Sequence, residues 1–187
     1  MADPVSRPAP RLSRPLVALA LVAFCAGVVS GGFVYAGRVP ERRPPVPGTA
    51  AWWPHLVVLV IVVVVGFALR RRAGSLRAVV LAPVGTRAAD RLRRTAASAR
   101  TRPAVAARLA LACVPMALML YLCWRVGAQI LAGLDPNFTV DAWGGPTYLG
   151  AMACHYLDAV ALTAAAAGLV ALLLEPAGPV RRTRAAD

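Results

Sequence analysis

The stretch WWPHLVVLVIVVVVGFALRRR, residues 52–72, decides which solvent surrounds this chain. Its centre, residues 56–65, contains only Leu, Val and Ile, and such a run would resemble a buried strand in a water-soluble protein. The apolar part, residues 52–69, falls within the roughly 17–25 residues that cross a bilayer as a helix. In lipid a helix satisfies its backbone hydrogen bonds internally, which a lone strand does not. The stretch therefore predicts a transmembrane helix that ends at three arginines, residues 70–72.

Three more apolar stretches are long enough to span a membrane, at residues 16–36, 109–134 and 146–174. The first also resembles a signal peptide, because arginines precede it and the small residues Ala36 and Gly37 end it, but its length favours a retained anchor. Since 59% of the residues are hydrophobic, the chain leaves no room for a separate soluble core. We therefore predict an all-α polytopic membrane protein with one four-helix transmembrane domain, residues 16–174.

The distribution of arginine predicts the orientation of these helices. All 21 basic residues are arginine; eleven lie in residues 70–108 and three in each terminal segment, against three in residues 37–53 and none in residues 135–147. The positive-inside rule assigns the arginine-rich connections to the cytoplasm. We expect both termini inside (N-in/C-in), a basic cytoplasmic loop at 70–108, and outer loops at 37–51 and 135–145. Four aromatic residues would then lie at the outer interface: Trp52, Trp53, Trp143 and Tyr148.

The basic segments are expected to contact lipid headgroups. The terminal segments, 1–15 and 175–187, are rich in Pro, Arg and Ala and are predicted to be disordered cytoplasmic tails. Within the 70–108 loop, Thr86 is suited to cap a short helix that ends near Ser98 and lies on the inner leaflet. The net charge of +13 could also indicate nucleic acid. The loop has no aromatic residues on which bases could stack, so we expect anionic lipid as the partner and no nucleic acid.

Residue usage gives an expectation about the source. The chain has no lysine, a single asparagine, and abundant Ala, Val, Pro and Gly, as expected when GC-rich codons dominate. We therefore expect a high-GC bacterium. The corresponding location is the bacterial cytoplasmic (inner) membrane.

Three ionisable residues within the apolar spans are the strongest indication of a site: Arg125, His155 and Asp158. Charged groups in hydrocarbon are costly, so each needs a partner or a water-lined cavity. Tyr121, Arg125 and Gln129 share one face of the third span, and helix geometry puts the three ionisable residues roughly 10–15 Å deep. We predict an ion pair between Arg125 and Asp158. It is either a structural clamp or a site for proton transfer or a polar substrate.

The outer loop at 135–145 is the second candidate surface. Four of its residues could bind a partner or ligand above the polar trio: Asp135, Phe138, Asp141 and Trp143. The sequence Asp135-Pro-Asn137 predicts a turn, and Gly144-Gly145 predicts a corner before the fourth span. The alternative is that the loop is only a tight connection.

Metal and cofactor sites have weaker support. One face of the third span carries sulfur ligands suited to Cu(I), namely Cys113, Met116, Met119 and Cys123. Met152, Cys154 and His155 could complete such a site, but the sulfur face points largely away from the Arg125 face. His55 and His155 differ by roughly 10 Å in estimated depth, which disfavours haem. We predict no cofactor and interpret the four cysteines as small buried hydrophobic residues.

The sequence contains no Walker loop, HExxH or GxSxG motif. Small residues at four-residue spacing, Ala23, Gly27 and Gly31 in the first span and Ala164 and Gly168 in the fourth, favour close helix packing. We therefore predict a small accessory or scaffold protein that binds other membrane subunits or a second copy of itself. The alternative is a membrane enzyme or transporter. A cavity lined by the polar trio would favour that alternative, and a closed Arg125–Asp158 pair would favour the scaffold.

Overall fold

The computed structural model describes residues 11–50 and 52–176. Its helices are α1 (Arg14–Ala36), α2 (Trp53–Ala73), α3 (Leu76–Val80), α4 (Thr86–Ala99), α5 (Pro103–Ala132) and α6 (Tyr148–Leu173), with a 3-10 turn at Ala82–Val84. No strand occurs among these residues, and α1, α2, α5 and α6 are long and apolar enough to cross a membrane. The prediction of an all-helical chain with four helices able to span a membrane is confirmed for the described residues.

The helix boundaries differ from the predicted spans where local chemistry sets them. Helix α5 begins at Pro103, six residues before the predicted start, because proline fits a first turn that needs no backbone N–H. Thr147 is the N-cap of α6 and accepts a hydrogen bond from Gly150 N at 3.2 Å, so the helix begins at Tyr148, two residues after the predicted start. Gly85, and not Thr86, is the N-cap of α4, and it makes no side-chain cap bond.

The four long helices form an open row in the order α1, α5, α6, α2. Helix α5 packs against α1 on one side and α6 on the other, and α2 packs against α6 and α3. Helices α1 and α2, at the two ends of the row, make no extensive contact, so the row does not close into a bundle. One face of α5 is therefore left uncovered between α1 and α6.

Glycines allow α1 and α5 to pack with their backbones in direct contact. A Cβ atom added to Gly27 would lie 1.9 Å from the Trp124 carbonyl oxygen, and one added to Gly31 would lie 2.0 Å from the Ala128 carbonyl oxygen. Gly127 of α5 has the reciprocal role against the Phe24 carbonyl of α1. These small residues allow two backbones to touch. Gly168 in α6 differs, because nothing lies within 4 Å of a Cβ placed there.

The two connections 37–52 and 133–147 meet at one end of the row, which we call the loop end. Asn137 joins them: its Oδ1 accepts from Arg43 N at 2.8 Å and its Nδ2 donates to the Glu41 carbonyl at 2.9 Å. Asp135 Oδ1 accepts from Asn137 N at 2.9 Å, which is the predicted turn. Gly144 and Gly145 have φ of 89° and 92°, a backbone that favours glycine at the predicted corner.

The opposite end, which we call the arginine end, is held by side chains that bind the end of α6. Arg91 of α4 donates to the carbonyls of Ala171, Leu174 and Glu175 at 2.6–2.8 Å. The last carbonyls of a helix have no partner within it and carry partial negative charge, so a guanidinium stabilises them. Glu175 in turn accepts from Ser98 Oγ at 2.8 Å and pairs with Arg102 at 3.4 Å.

These contacts correct the predicted tails where the structure describes them. Glu175 was assigned to a tail but is bound between α4 and α5. At the other terminus, Ser13 N donates to the Val84 carbonyl and Thr86 N to the Arg11 carbonyl, both at 2.9 Å, and α1 starts at Arg14. The rest of the predicted tails, residues 1–10 and 177–187, lies outside the described residues. The start of α1 and the end of α6 thus lie at the same end of the row.

Candidate functional site at the loop end

Arg125 lies on the uncovered face of α5, but its partners are not the predicted ones. Its guanidinium donates to Tyr121 Oη at 3.2 Å and to His155 Nδ1 at 3.5 Å. Among the described residues no carboxylate forms an ion pair with it. The predicted Arg125–Asp158 pair is therefore wrong. Asp158 follows His155 by three residues, which offsets it by about 60° around α6 and turns it away from α5.

Asp158 pairs with His55 of α2 instead. His55 Nε2 lies 3.3 Å from Asp158 Oδ2, and the His55 ring lies 5.9 Å from that of Trp143. His55 is buried, and because it meets Asp158 it lies about one helical turn from the level of His155, closer than the depth difference expected from the sequence. Asp158 is about 15 Å along α6 from its loop end, whereas His55 is about 3 Å along α2. Helix α6 therefore extends past α2 at the loop end. The depths estimated from the sequence assumed that the two helices start at the same level.

A cleft of about 500 Å³ occupies the uncovered face of α5. Ser30 and Val34 of α1 form one wall, His155 of α6 the other, and Arg125 and Gln129 the floor. The loop residues Phe138, Asp141, Ala142 and Trp143 lie at its loop end. Its size is within the range of about 300–1,000 Å³ that is usual for small-molecule sites.

Gln129 is the most unusual residue in the cleft. The side chain is 3% exposed, and its Oε1 has no hydrogen-bond partner among the described residues. A buried acceptor without a partner costs about 1–3 kcal/mol, so such atoms are rare in folded proteins. Gln129 Oε1 is therefore suited to accept a hydrogen bond from a group that enters the cleft.

The polar groups where α1 meets α5 beside the cleft are already paired. Trp124 Nε1 donates to Ser30 Oγ at 3.2 Å, and Ser30 Oγ donates to the Ala26 carbonyl at 2.8 Å. This leaves Tyr121, Arg125, Gln129, His155 and Asp141 as the polar groups that can meet a ligand. Neither Ser30 nor Tyr121 is bonded to His155 in the described chain, so the cleft contains no nucleophile held by a base.

The candidate loop residues separate into two groups. Phe138, Asp141 and Trp143 line the cleft, with Phe138 and Trp143 38% and 48% exposed. Asp135 does not belong with them, because it is buried and its carboxylate holds the turn at Asn137. The structure therefore brings three of the four together with Arg125 and His155.

The sulfur residues do not gather into one site with the cleft. Cys113 is exposed on α5, Cys123 is half-buried, and Met116 and Met119 are partly covered. Of the four cysteines only Cys154 is buried, so the expectation that all four are interior residues is wrong. Within the described residues no group of three His, Cys, Asp or Glu side chains could hold a metal ion.

Sequence reasoning missed the contribution of α1 and α2 to this region. Ser30 of α1 binds Trp124 of α5 beside the cleft, and His55 of α2 pairs with Asp158. A histidine two residues after the Trp52–Trp53 pair resembles an interfacial residue, and no local pattern predicts a carboxylate partner 103 residues away. A signal did exist for Ser30, a hydroxyl between Gly27 and Gly31 on a face suited to close helix approach.

No family model, curated protein or solved structure matches this chain.

Proposed function

We propose that this chain is a small integral membrane protein that binds a polar ligand with an anionic group in the cleft between α1, α5 and α6. The supporting observation is Arg125, a cation in the cleft floor whose described partners, Tyr121 and His155, carry no acidic group. A guanidinium within a membrane span needs an anion or water. A ligand that supplies the anion would be bound by charge-assisted hydrogen bonds.

The geometry of the cleft favours a transporter or enzyme over the predicted scaffold protein. The predicted closed pair is absent: Arg125 and His155 line an open cavity, while Asp158 pairs with His55 outside it. Since no described nucleophile is paired with a base there, we assign binding or transfer of the ligand, with His155 next to the anion as the group able to exchange a proton.

The scaffold function remains a second candidate because of one surface. Ala164 and Gly168 of α6 are exposed, and nothing lies within 4 Å of a Cβ built on Gly168. A small-residue face of this kind accommodates another membrane helix. A pull-down in mild detergent that recovers only this chain, with no stoichiometric partner, would contradict it.

We also propose that the arginine end faces the cytoplasm of a bacterial cell and that the cleft opens in the outer half of the inner membrane. Eleven of the arginines lie in residues 70–108, and the positive-inside rule places such a connection inside. Several of them are exposed at the arginine end, including Arg87, Arg94 and Arg100, where they can contact anionic headgroups.

Ligand retention tests the proposed function. The protein is purified from its native membrane in mild detergent, and the bound mass is measured by native mass spectrometry. We expect one stoichiometric ligand on the wild type and a reduction of about tenfold or more in Arg125→Gln, because the charge-assisted bonds are lost.

Arg38→Gln is the matched control. Arg38 is also a loop-end arginine, but it stacks on Tyr35 at 4.0 Å and does not line the cleft. It should retain the ligand as the wild type does. The same ligand content in the wild type and Arg125→Gln, or no ligand on either, would contradict the proposal.

A further inference from the structure

Two groups in the cleft together define the chemistry of its ligand. The Arg125 guanidinium uses two of its five N–H donors, on Tyr121 and His155, and forms no ion pair among the described residues. Gln129 Oε1 is buried in the same cleft without a donor. The ligand should therefore carry an anion for Arg125 and an N–H or O–H donor for Gln129. Asp141, on the cleft wall at the loop end, favours a donor there as well.

The direction in which the cleft opens determines the route by which a ligand can enter it. Loop residues from Phe138 to Trp143 lie over its loop end, and α2 contributes no residue to its lining. Tyr121 and Trp124, 46% and 36% exposed, mark the open side between α1 and α6, within the apolar span of α5. A side opening at this position faces lipid, so the ligand best able to enter is an amphiphile from the same leaflet.

We propose that the cleft binds a phospholipid with a hydrogen-bond-donating headgroup, its phosphate on Arg125, its ethanolamine or glycerol group on Gln129 and Asp141, and its acyl chains along Tyr121 and Trp124. This inference rests on the proposed function. Phosphate matches the planar donor fork of arginine. An ethanolamine or glycerol headgroup supplies the N–H or O–H that Gln129 lacks, whereas a choline headgroup has no such hydrogen.

A competition among defined lipids tests this assignment. The delipidated full chain is mixed with equal amounts of phosphatidylethanolamine, phosphatidylglycerol and phosphatidylcholine that share their acyl chains, and retained lipid is counted by native mass spectrometry. We expect the two donor headgroups to be retained over choline by about tenfold, the value of one hydrogen bond to a buried acceptor.

Two kinds of variant separate the phosphate contact from the donor contact. Arg125→Gln should lower the retention of all three lipids. Gln129→Leu, with Gln129→Met as a second variant of similar size, should keep retention but remove the preference over choline. Arg38→Gln should behave as the wild type. Circular dichroism and gel filtration establish that each variant is folded.

The outcomes distinguish this inference from the proposed function. A preference that survives in both Gln129 variants, or equal retention of choline by the wild type, would overturn the donor-headgroup assignment. A separate arm offers soluble glycerol 3-phosphate. If it binds in an Arg125-dependent manner while no lipid is retained, the anion site stands and the lipid source is wrong. If neither lipid nor glycerol 3-phosphate depends on Arg125, both proposals fail.

Discussion

Arg125 and His55 are the two side chains whose partners define the loop-end half of this protein. Arg125 is held by Tyr121 and His155 and remains available to an anion, while His55 takes the carboxylate of Asp158. If Arg125 had met Asp158, the cleft would contain a neutralised pair and no reason to bind an anion. Because helix α2 supplies His55, a residue outside the cleft keeps the arginine free within it.

The His55–Asp158 contact should also hold α2 to α6. Leucine at either position leaves the other polar group alone in an apolar setting, and we expect each single variant to lower stability by about 1–2 kcal/mol. The double variant should lose less than the sum of the two, because neither group is then left without its partner. Reversible unfolding of all four proteins in one detergent measures this, and strictly additive losses would mean that the contact contributes nothing.

Helices α1 and α5 pack most closely in the row because glycines of each helix lie against the backbone of the other. Gly27 and Gly31 approach the carbonyls of Trp124 and Ala128, and Gly127 approaches that of Phe24. This contact also places Ser30 beside Trp124 and so forms one wall of the cleft. The small-residue spacing in the first span therefore has its partner inside the chain.

Replacing Gly27 should separate this pair. Gly27→Ala would put a Cβ 1.9 Å from a backbone oxygen, which only a shift of α1 relieves, and we expect a loss of about 1–3 kcal/mol. Gly168→Ala is the matched control, since its Cβ meets nothing within 4 Å and alanine favours the helix. Thermal unfolding in detergent compares them. A Gly27→Ala protein as stable as Gly168→Ala would show that the α1–α5 contact is looser than described.

The whole molecule is a row of helices with different ends. At the arginine end, Arg91 closes the last turn of α6 and the segment 84–86 pairs with residues 11–13. At the loop end, Asn137 joins the two connections beside the cleft. A hydrogen-bonded arginine end and an open cleft at the other end agree with the proposed binding of a ligand from one side of the membrane.

Cysteine labelling tests the proposed orientation of the row. Ala50 at the loop end and Ala96 on α4 are both exposed, and the natural cysteines all lie within the membrane helices. With a membrane-impermeant maleimide, Ala50→Cys should react in intact cells and Ala96→Cys only after lysis. Reaction of Ala96→Cys in intact cells would reverse the orientation and place the cleft in the inner half of the membrane.

Local sequence was sufficient for the number and position of the membrane helices, because the length of an apolar run and the cost of a charge in lipid depend on neighbouring residues alone. It also identified Arg125, Gln129 and His155 as residues of one polar region, since helical spacing puts residues on a face. It did not identify the partner of Asp158. That choice depends on the axial shift and rotation of α2 against α6, which follow from packing between segments about a hundred residues apart.

The open cleft has the same origin. Whether four apolar helices close into a bundle or form a row depends on which helix faces allow close backbone contact. Here the glycines pack α1 against α5, and α2 packs against the side of α6 that faces away from α5. Hydrophobicity cannot make that distinction, because in lipid every apolar face is already solvated. The order of the helices, and with it the exposure of Arg125 to a ligand, is therefore a property of the folded chain.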